Sequence, residues 1–157
     1  MGSAGKDDLH MQQALLAEVI REAAEPHSQR GISIETKIAD NHKGGIDEPH
    51  IIRRPEIIHG LRNMIQNAVD FATSKVWVES SWTKDSVKIT ILDDGQGYPP
   101  NLLGRLGDPF LGTKISKENR HGNEGMGLGL FIAKTLLERT GAKISFANGN
   151  KNQILKK

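Results

Sequence analysis

Two asparagines, four residues apart, are the first candidates for chemistry in this sequence. Asn63 and Asn67 lie in a segment whose apolar residues recur at helical spacing, and residues i and i+4 share one face of a helix. Asparagine is a poor helix former, because its side chain competes for backbone hydrogen bonds. The spacing therefore predicts two amide groups side by side on one helical face. The alternative is a pair of solvated surface amides.

A second candidate is the run Asp93-Asp94-Gly95-Gln96-Gly97, which directly follows a predicted strand. Glycines permit a tight turn and the close approach of a ligand to the backbone. An ionised carboxylate at the end of a strand can accept a hydrogen bond from an amino group, such as the exocyclic amine of adenine. The alternative is an ordinary Asp-Gly turn.

The third candidate is Gly125-Met126-Gly127-Leu128-Gly129-Leu130, which leads into a predicted helix. Amide groups at a helix N-terminus bind phosphate through their N–H groups and the helix dipole. Part of the run also matches a dinucleotide fingerprint, which requires a preceding first strand and an acid about 20 residues later. Here a long polar loop precedes the glycines and the chain nearly ends after them, so the dinucleotide interpretation is excluded.

The elements that must position these residues follow from the spacing of the apolar side chains. Helical spacing predicts helices over residues 9–30, 56–72 and 127–140, and alternation predicts strands over 32–38, 51–54, 75–81, 87–92 and 142–147. Residues 107–124 form a long polar segment without periodicity, and such loops are usually functional or disordered. We expect an α/β sandwich in which three helices cover one face of a mixed sheet of about five strands.

Composition narrows the class of protein further. The 157 residues suffice for one compact domain. The 21 basic and 19 acidic residues are scattered along the chain, which does not favour a nucleic-acid binder. The absence of cysteine excludes disulfides and cysteine-based sites, and no apolar run is long enough to span a membrane. We expect a tag or disordered leader over residues 1–8, the domain over 9–147 and a C-terminal tail over 148–157.

In this order, the three segments resemble the signature of the histidine-kinase branch of the GHKL ATP-binding superfamily, which has the Bergerat fold. Residues 63–67 resemble its N box, 93–97 its first glycine box and 125–130 its second. Asp108 to Lys114 is similar to its F box and the start of its ATP lid. A narrower likeness, to redox-responsive sensor kinases of the RegB/PrrB type, is carried by residues 53–56, 67–72 and 125–139.

The resemblance implies ATP and Mg²⁺ as cofactors and assigns a role to each matching residue. Asn67 would ligate Mg²⁺, with Asn63 beside it near the phosphates, and Asp93 would accept a hydrogen bond from the adenine amino group. Lys114 and Arg120, on a lid over residues 107–124 that should order when nucleotide binds, would reach the γ-phosphate. The remaining nucleotide-binding positions implied are the base-pocket glycines Gly95 and Gly97, and Thr113, Gly125, Gly127, Leu128 and Gly129 at the phosphates.

The function implied is transfer of the γ-phosphate of ATP to a histidine on a separate acceptor domain, with a response regulator as the indirect partner. Hydrolysing ATPases of the same superfamily carry a Glu where this chain has Asn63, and an amide cannot accept a proton from water. A non-catalytic nucleotide-binding module is the other alternative, since none of the six histidines lies in an acceptor box. We expect a monomer belonging to the cytoplasmic part of a membrane-anchored sensor. Asp70 departs from the family, which often has Lys there.

Overall fold

The computed structural model describes residues 12–39, 45–109 and 126–149 of the chain, and the fold is built from these. Nine helices and strands follow one another along them, with a 3₁₀ turn at Glu25–His27 after the first helix. In chain order they are β1 (Gln13–Leu15), α1 (Leu16–Ala24), β2 (Ser33–Ile38), β3 (His50–Ile52), α2 (Pro55–Phe71), β4 (Lys75–Trp82), β5 (Val87–Asp93), α3 (Pro100–Leu103) and α4 (Met126–Arg139).

The described strands form two separate sheets. In the larger one β4 is central, with β2 parallel on one side and β5 antiparallel on the other. In the smaller one β1 pairs antiparallel with β3. The larger sheet brings the end of β5 beside the start of β4, because Asp93 stands opposite Val76. The chain that leaves β5 therefore emerges close to the C-terminal end of α2.

Alternation along β4 determines which face of the larger sheet packs against the helices. Val76, Val78, Ser80 and Trp82 are buried, whereas the residues between them are partly exposed. Successive side chains of a strand point to opposite faces, so the buried set faces the helices. Thr83 to Ser86 closes the hairpin to β5, with the Thr83 amide donating to the Ser86 carbonyl.

Helix α2 contributes more residues to the described core than any other element, when its partly buried residues are included. Pro55 stands in its first turn, where a missing N–H costs nothing. Its inner face and that of α1 supply most of the buried core, through Leu16, Val19, Ile20, Ala23, Ile58, Leu61, Ile65, Ala68 and Val69. Helix α4 packs along α2, where a Cβ on Gly60 would come within 2.5 Å of Leu137 Cγ. The absence of a side chain at Gly60 allows this close packing.

The predicted α/β architecture with a mixed sheet is confirmed, but the predicted count of about five strands in one sheet is wrong. The larger sheet has three strands in the described residues, and the other two strands form the small sheet. Residues 142–147 form no described strand, although Ile144 and Phe146 are half-buried between exposed neighbours as alternation predicted. The count of three helices omits the single-turn α3.

The first predicted helix also begins later than expected. The predicted helix included residues 13–15, since Leu15 fits the helical spacing of the apolar residues that follow it. They pair instead with β3, so their backbone hydrogen bonds are made to a distant part of the chain. The local sequence does not indicate this pairing. Among the residues described, no helix combines the length and the apolar character that crossing a membrane requires.

Candidate functional site

Asn67 presents a buried amide oxygen with no partner. It lies half-buried on α2, one turn after Asn63, which is also half-buried. Its Nδ2 donates a hydrogen bond to Tyr98 Oη at 2.6 Å. Its Oδ1 is buried and accepts no hydrogen bond from any described residue. The nitrogen of the amide is therefore engaged while its oxygen is not.

This oxygen fits a hard cation. Leaving a buried acceptor unsatisfied costs about 1–3 kcal/mol, so a ligand that supplied a partner would recover that energy. Mg²⁺ takes oxygen ligands and usually keeps several waters and phosphate oxygens, with only one or two ligands from protein. The described residues contain no group of three His, Asp or Glu side chains able to hold a metal. The site suits a cation that draws most of its ligands from phosphate and water.

The two adjacent acids at the end of β5 have different surroundings. Asp94 accepts hydrogen bonds from the backbone amides of Thr73, Ser74 and Lys75 at 2.8–3.2 Å. It also accepts one from Ser74 Oγ at 2.6 Å. Partial burial opposes ionisation, but these hydrogen bonds outweigh it and lower the pKa of Asp94 to about 2. Asp94 thus ties the chain after α2 to the end of β5, which is a structural role.

Asp93 has acceptor capacity left over. Within the described residues its carboxylate accepts a hydrogen bond from the Gly95 amide at 2.9 Å. Burial raises the pKa of the Asp93 carboxyl above its ordinary value; the Gly95 hydrogen bond opposes this rise and the charge of Asp94 adds to it. A desolvated carboxylate of this kind gains more from a new hydrogen-bond donor than a solvated one does. This is the acceptor that an amino group of a ligand requires.

Gly95 and Gly97 are needed for packing within the chain itself. A Cβ on Gly95 would overlap the Phe71 carbonyl oxygen and lie 2.7 Å from Asp93 Oδ1. Gly97 has φ +78°, and a Cβ there would come within 2.8 Å of Asn148 Oδ1. These contacts account for both glycines, while their contact with a base stays a prediction.

We expect Gly95→Ala to destabilise the fold by about 2–3 kcal/mol, because the added carbon meets rigid backbone at the end of α2 rather than a movable side chain. Gly104→Ala is the matched control, since a Cβ there meets nothing within 4 Å. Chemical denaturation of both variants checks this. A free energy of unfolding for Gly95→Ala equal to that of Gly104→Ala would contradict it.

Tyr98 and Asn148 complete the site, and sequence reasoning did not find them. Asn148 Oδ1 accepts from the Tyr98 backbone amide at 2.8 Å and Asn148 Nδ2 donates to the Tyr98 carbonyl at 2.6 Å. The Tyr98 ring lies 5.0 Å from that of Phe71. Burial raises the pKa of Tyr98 to about 12. The charge of Asp93 adds to this rise, and the hydrogen bond from Asn67 opposes it. The sequence signal that could have identified Tyr98 is its position, as an aromatic residue directly after Gly97.

Asp70 forms an ion pair within the chain. Its side chain is only 6% exposed and pairs with Arg30 Nη2 at 2.7 Å. The carboxylate therefore holds the segment after α1 against the C-terminal end of α2. In this chain the position therefore serves a structural ion pair.

The glycine run before α4 is described only in part. Gly127 and Gly129 lie in the first turn of α4, where backbone amides have no intrahelical partner and favour anions. Leu128 is 52% exposed, and a Cβ on Gly129 would meet nothing within 4 Å. Four predicted site residues and most of the predicted lid lie outside the described residues: Thr113, Lys114, Arg120 and Gly125.

The family of histidine kinase-, DNA gyrase B- and HSP90-like ATPases matches residues 52–154, and the chain therefore belongs to this family. The family resemblance predicted from the three segments is confirmed.

Individual relatives are sensor histidine kinases. The chain is 60% identical over 151 residues to sensor histidine kinase RegB of Cereibacter sphaeroides, covering 94% of this chain and 33% of that protein. It is 28% identical over 125 residues to sensor histidine kinase CpxA of Escherichia coli, covering 80% and 26%. The chain thus spans about a third or less of the length of these relatives.

Two solved structures share the fold of this chain. The catalytic domain of histidine kinase ThkA aligns with TM-score 0.67 and 23% identity over 88% of this chain and 87% of that one. The ATP binding domain of PrrB from Mycobacterium tuberculosis aligns with TM-score 0.58 and 17% identity over 87% and 85%. At these identities the likeness concerns the fold alone.

Proposed function

We propose that this chain binds Mg²⁺-ATP and supplies the γ-phosphate for phosphorylation of a histidine on a separate acceptor domain, in two-component signal transduction. The observation that carries the proposal is the unpartnered amide oxygen of Asn67, and the desolvated carboxylate of Asp93 supports it. Tyr98 is linked to both residues, since its hydroxyl accepts a hydrogen bond from Asn67 and the charge of Asp93 contributes to its raised pKa. The 60% identity to sensor histidine kinase RegB supports the choice of kinase.

The proposed roles follow from the chemistry of each group. Asn67 would hold Mg²⁺ through Oδ1, and Asp93 would accept from the adenine amino group. When bound, the metal neutralises charge on the phosphates during phosphoryl transfer. We assign Lys114 and Arg120 to the γ-phosphate. The other proposed nucleotide contacts are Gly95, Gly97, Thr113, Gly125, Gly127, Leu128 and Gly129.

Asn63 favours transfer over hydrolysis. A general base must accept the proton of the attacking water, and a carboxamide is not basic enough to do so. Asn63 lies one turn before Asn67 on α2, in the position where hydrolysing relatives carry a carboxylate. We assign it a contact with the phosphates that activates no water.

The partners proposed are those of a two-component sensor. The acceptor histidine belongs to another domain of the parent protein, and the response regulator receives the phosphate from that domain. We place this domain, over residues 9–147, in the cytoplasmic part of a membrane-anchored sensor. By itself it would be monomeric and would bind no nucleic acid.

The decisive experiment mixes this chain with a separately produced acceptor domain of RegB and γ-labelled ATP. We expect label on the acceptor histidine only when Mg²⁺ is present, and almost no ADP without the acceptor. Asn63→Glu, which restores the carboxylate, should instead release ADP slowly. Brisk ADP production by the unmodified chain alone would identify a hydrolysing ATPase. Nucleotide binding without transfer would identify a non-catalytic module.

A further inference from the structure

Tyr98 is held on three sides by contacts of different kinds. Its hydroxyl accepts from Asn67 Nδ2, its ring lies tilted at 54° against Phe71, and both of its backbone polar groups bond to the side chain of Asn148. The positive φ of Gly97 turns the chain so that Tyr98 and Asn148 meet. The backbone, the ring and the hydroxyl of Tyr98 are thus each held by a separate contact.

A carboxamide has two ends of similar shape and opposite chemistry. Its oxygen can ligate a cation, whereas its nitrogen carries two hydrogens and cannot. A half-turn of the side chain exchanges the two ends. The hydrogen bond to Tyr98 is made by the nitrogen, which leaves the buried oxygen of Asn67 as the free end.

We propose that Tyr98 is a positioning residue that fixes the carboxamide of Asn67 with its oxygen available to Mg²⁺, and that Asn148 holds Tyr98 in place. This inference rests on the proposed function, because it concerns the metal ligand of that same site. Tyr98 contacts neither metal nor nucleotide in this role. It acts by holding the Asn67 side chain in place before the metal binds, with Nδ2 engaged and Oδ1 free.

Tyr98→Phe tests the proposal, because it deletes the hydroxyl and retains the ring that packs on Phe71. The affinity of the chain for a non-hydrolysable ATP analogue is measured by calorimetry, once with excess MgCl₂ and once with EDTA. The dissociation constant in EDTA divided by the dissociation constant in MgCl₂ measures how much Mg²⁺ strengthens binding. In the variant this ratio should fall on the order of threefold to tenfold, which corresponds to the free energy of one hydrogen bond. Affinity in EDTA should stay within about twofold, since the remaining contacts of the nucleotide are unchanged.

Two further variants separate positioning from general damage. Asn148→Ala releases the backbone of Tyr98 and should lower the same ratio in the same direction. Ser81→Ala also deletes a hydroxyl, at the far end of β4 from the site, and should leave the ratio unchanged. Thermal unfolding of all three checks that the folded population is comparable.

A spectroscopic readout tests the hydrogen bond without any nucleotide. The side-chain amide resonances of Asn67 are identified by their loss in Asn67→Ala. In the unmodified chain the proton donated to Tyr98 should lie downfield of its position in Tyr98→Phe, whereas the resonance of the other amide proton should change little.

The outcomes are distinguishable from failure of the proposed function. An unmodified chain without Mg²⁺-dependent binding overturns both proposals. If the unmodified chain shows that dependence and Tyr98→Phe retains all of it, only the role of Tyr98 is overturned. Equal losses with MgCl₂ and with EDTA would assign Tyr98 to the fold or to the nucleotide pocket, and would also overturn the positioning role.

Discussion

Asn67→Ala should abolish the contribution of Mg²⁺ to ATP binding, which makes it the substitution with the largest expected effect. Losing a group that only supports a metal ligand typically costs 10- to 100-fold in metal affinity, so losing the ligand itself should cost on the order of 100-fold. The substitution also removes the hydrogen bond from Nδ2 to Tyr98, but the fold should survive, because one hydrogen bond contributes only about 1 kcal/mol and the deleted oxygen is already without a partner in the described structure. Calorimetry with a non-hydrolysable ATP analogue, with and without MgCl₂, measures the effect.

Gln66→Ala is the matched control for this substitution. Gln66 is the adjacent amide on α2, and it is exposed, so its removal should change neither the affinity nor its dependence on Mg²⁺. If Asn67→Ala retains a dissociation constant that still responds to MgCl₂ as the unmodified chain does, Asn67 is not the metal ligand. A loss of folded protein in Asn67→Ala would instead identify a structural amide.

The parts of the fold that the sequence predicts are those stabilised by local periodicity. Helix α2 and strands β4 and β5 carry a clear spacing of apolar residues, and their observed bounds differ from the predicted ones by one residue at most. β1 could not be predicted, because its three residues obtain their hydrogen bonds from β3, about 37 residues away. Pairing over such a distance leaves no trace in a local pattern.

In the candidate site, too, local motifs were predicted and contacts between distant residues were not. Asn67 and Asp93 were predicted because motif position identifies them, and the structure gives each an unsatisfied or desolvated oxygen. The structural role of Asp94 was not predictable, since it depends on three backbone amides that follow α2. Asn148 was assigned to the tail, and only the folded chain brings it to Tyr98, 50 residues earlier.

The two adjacent acids provide the second large effect, since exchanging each for an amide should separate binding from stability. Asp93→Asn should weaken binding of an adenine nucleotide about tenfold or more, because a hydrogen bond to a charged acceptor is worth about 1.5–3 kcal/mol. Its unliganded fold should be as stable as before or slightly more so. The raised pKa of Asp93 means that its charge opposes folding above that pKa.

Asp94→Asn should do the reverse. The pKa of Asp94 is lowered to about 2, so its charge stabilises the fold above the ordinary pKa of 3.8. This stabilisation is lost as the pH falls towards 2. At neutral pH the variant should lose about 1–2 kcal/mol, reduced from the full value of charged hydrogen bonds by partial exposure to solvent. Below about pH 3 the difference from the unmodified chain should shrink, and nucleotide affinity of the folded protein should change little.

Denaturation at neutral and acid pH, together with calorimetry using ADP, measures both variants on the same two scales. Two kinds of result would contradict the assignment. An unchanged dissociation constant in Asp93→Asn would remove the adenine contact from this residue. Equal losses of stability in the two variants would mean that both carboxylates serve the fold, because a carboxylate reserved for a ligand contributes nothing to the unliganded chain. If only Asp93→Asn loses affinity and only Asp94→Asn loses stability, then Asp93 serves the ligand and Asp94 serves the fold, as their separate hydrogen bonds indicate.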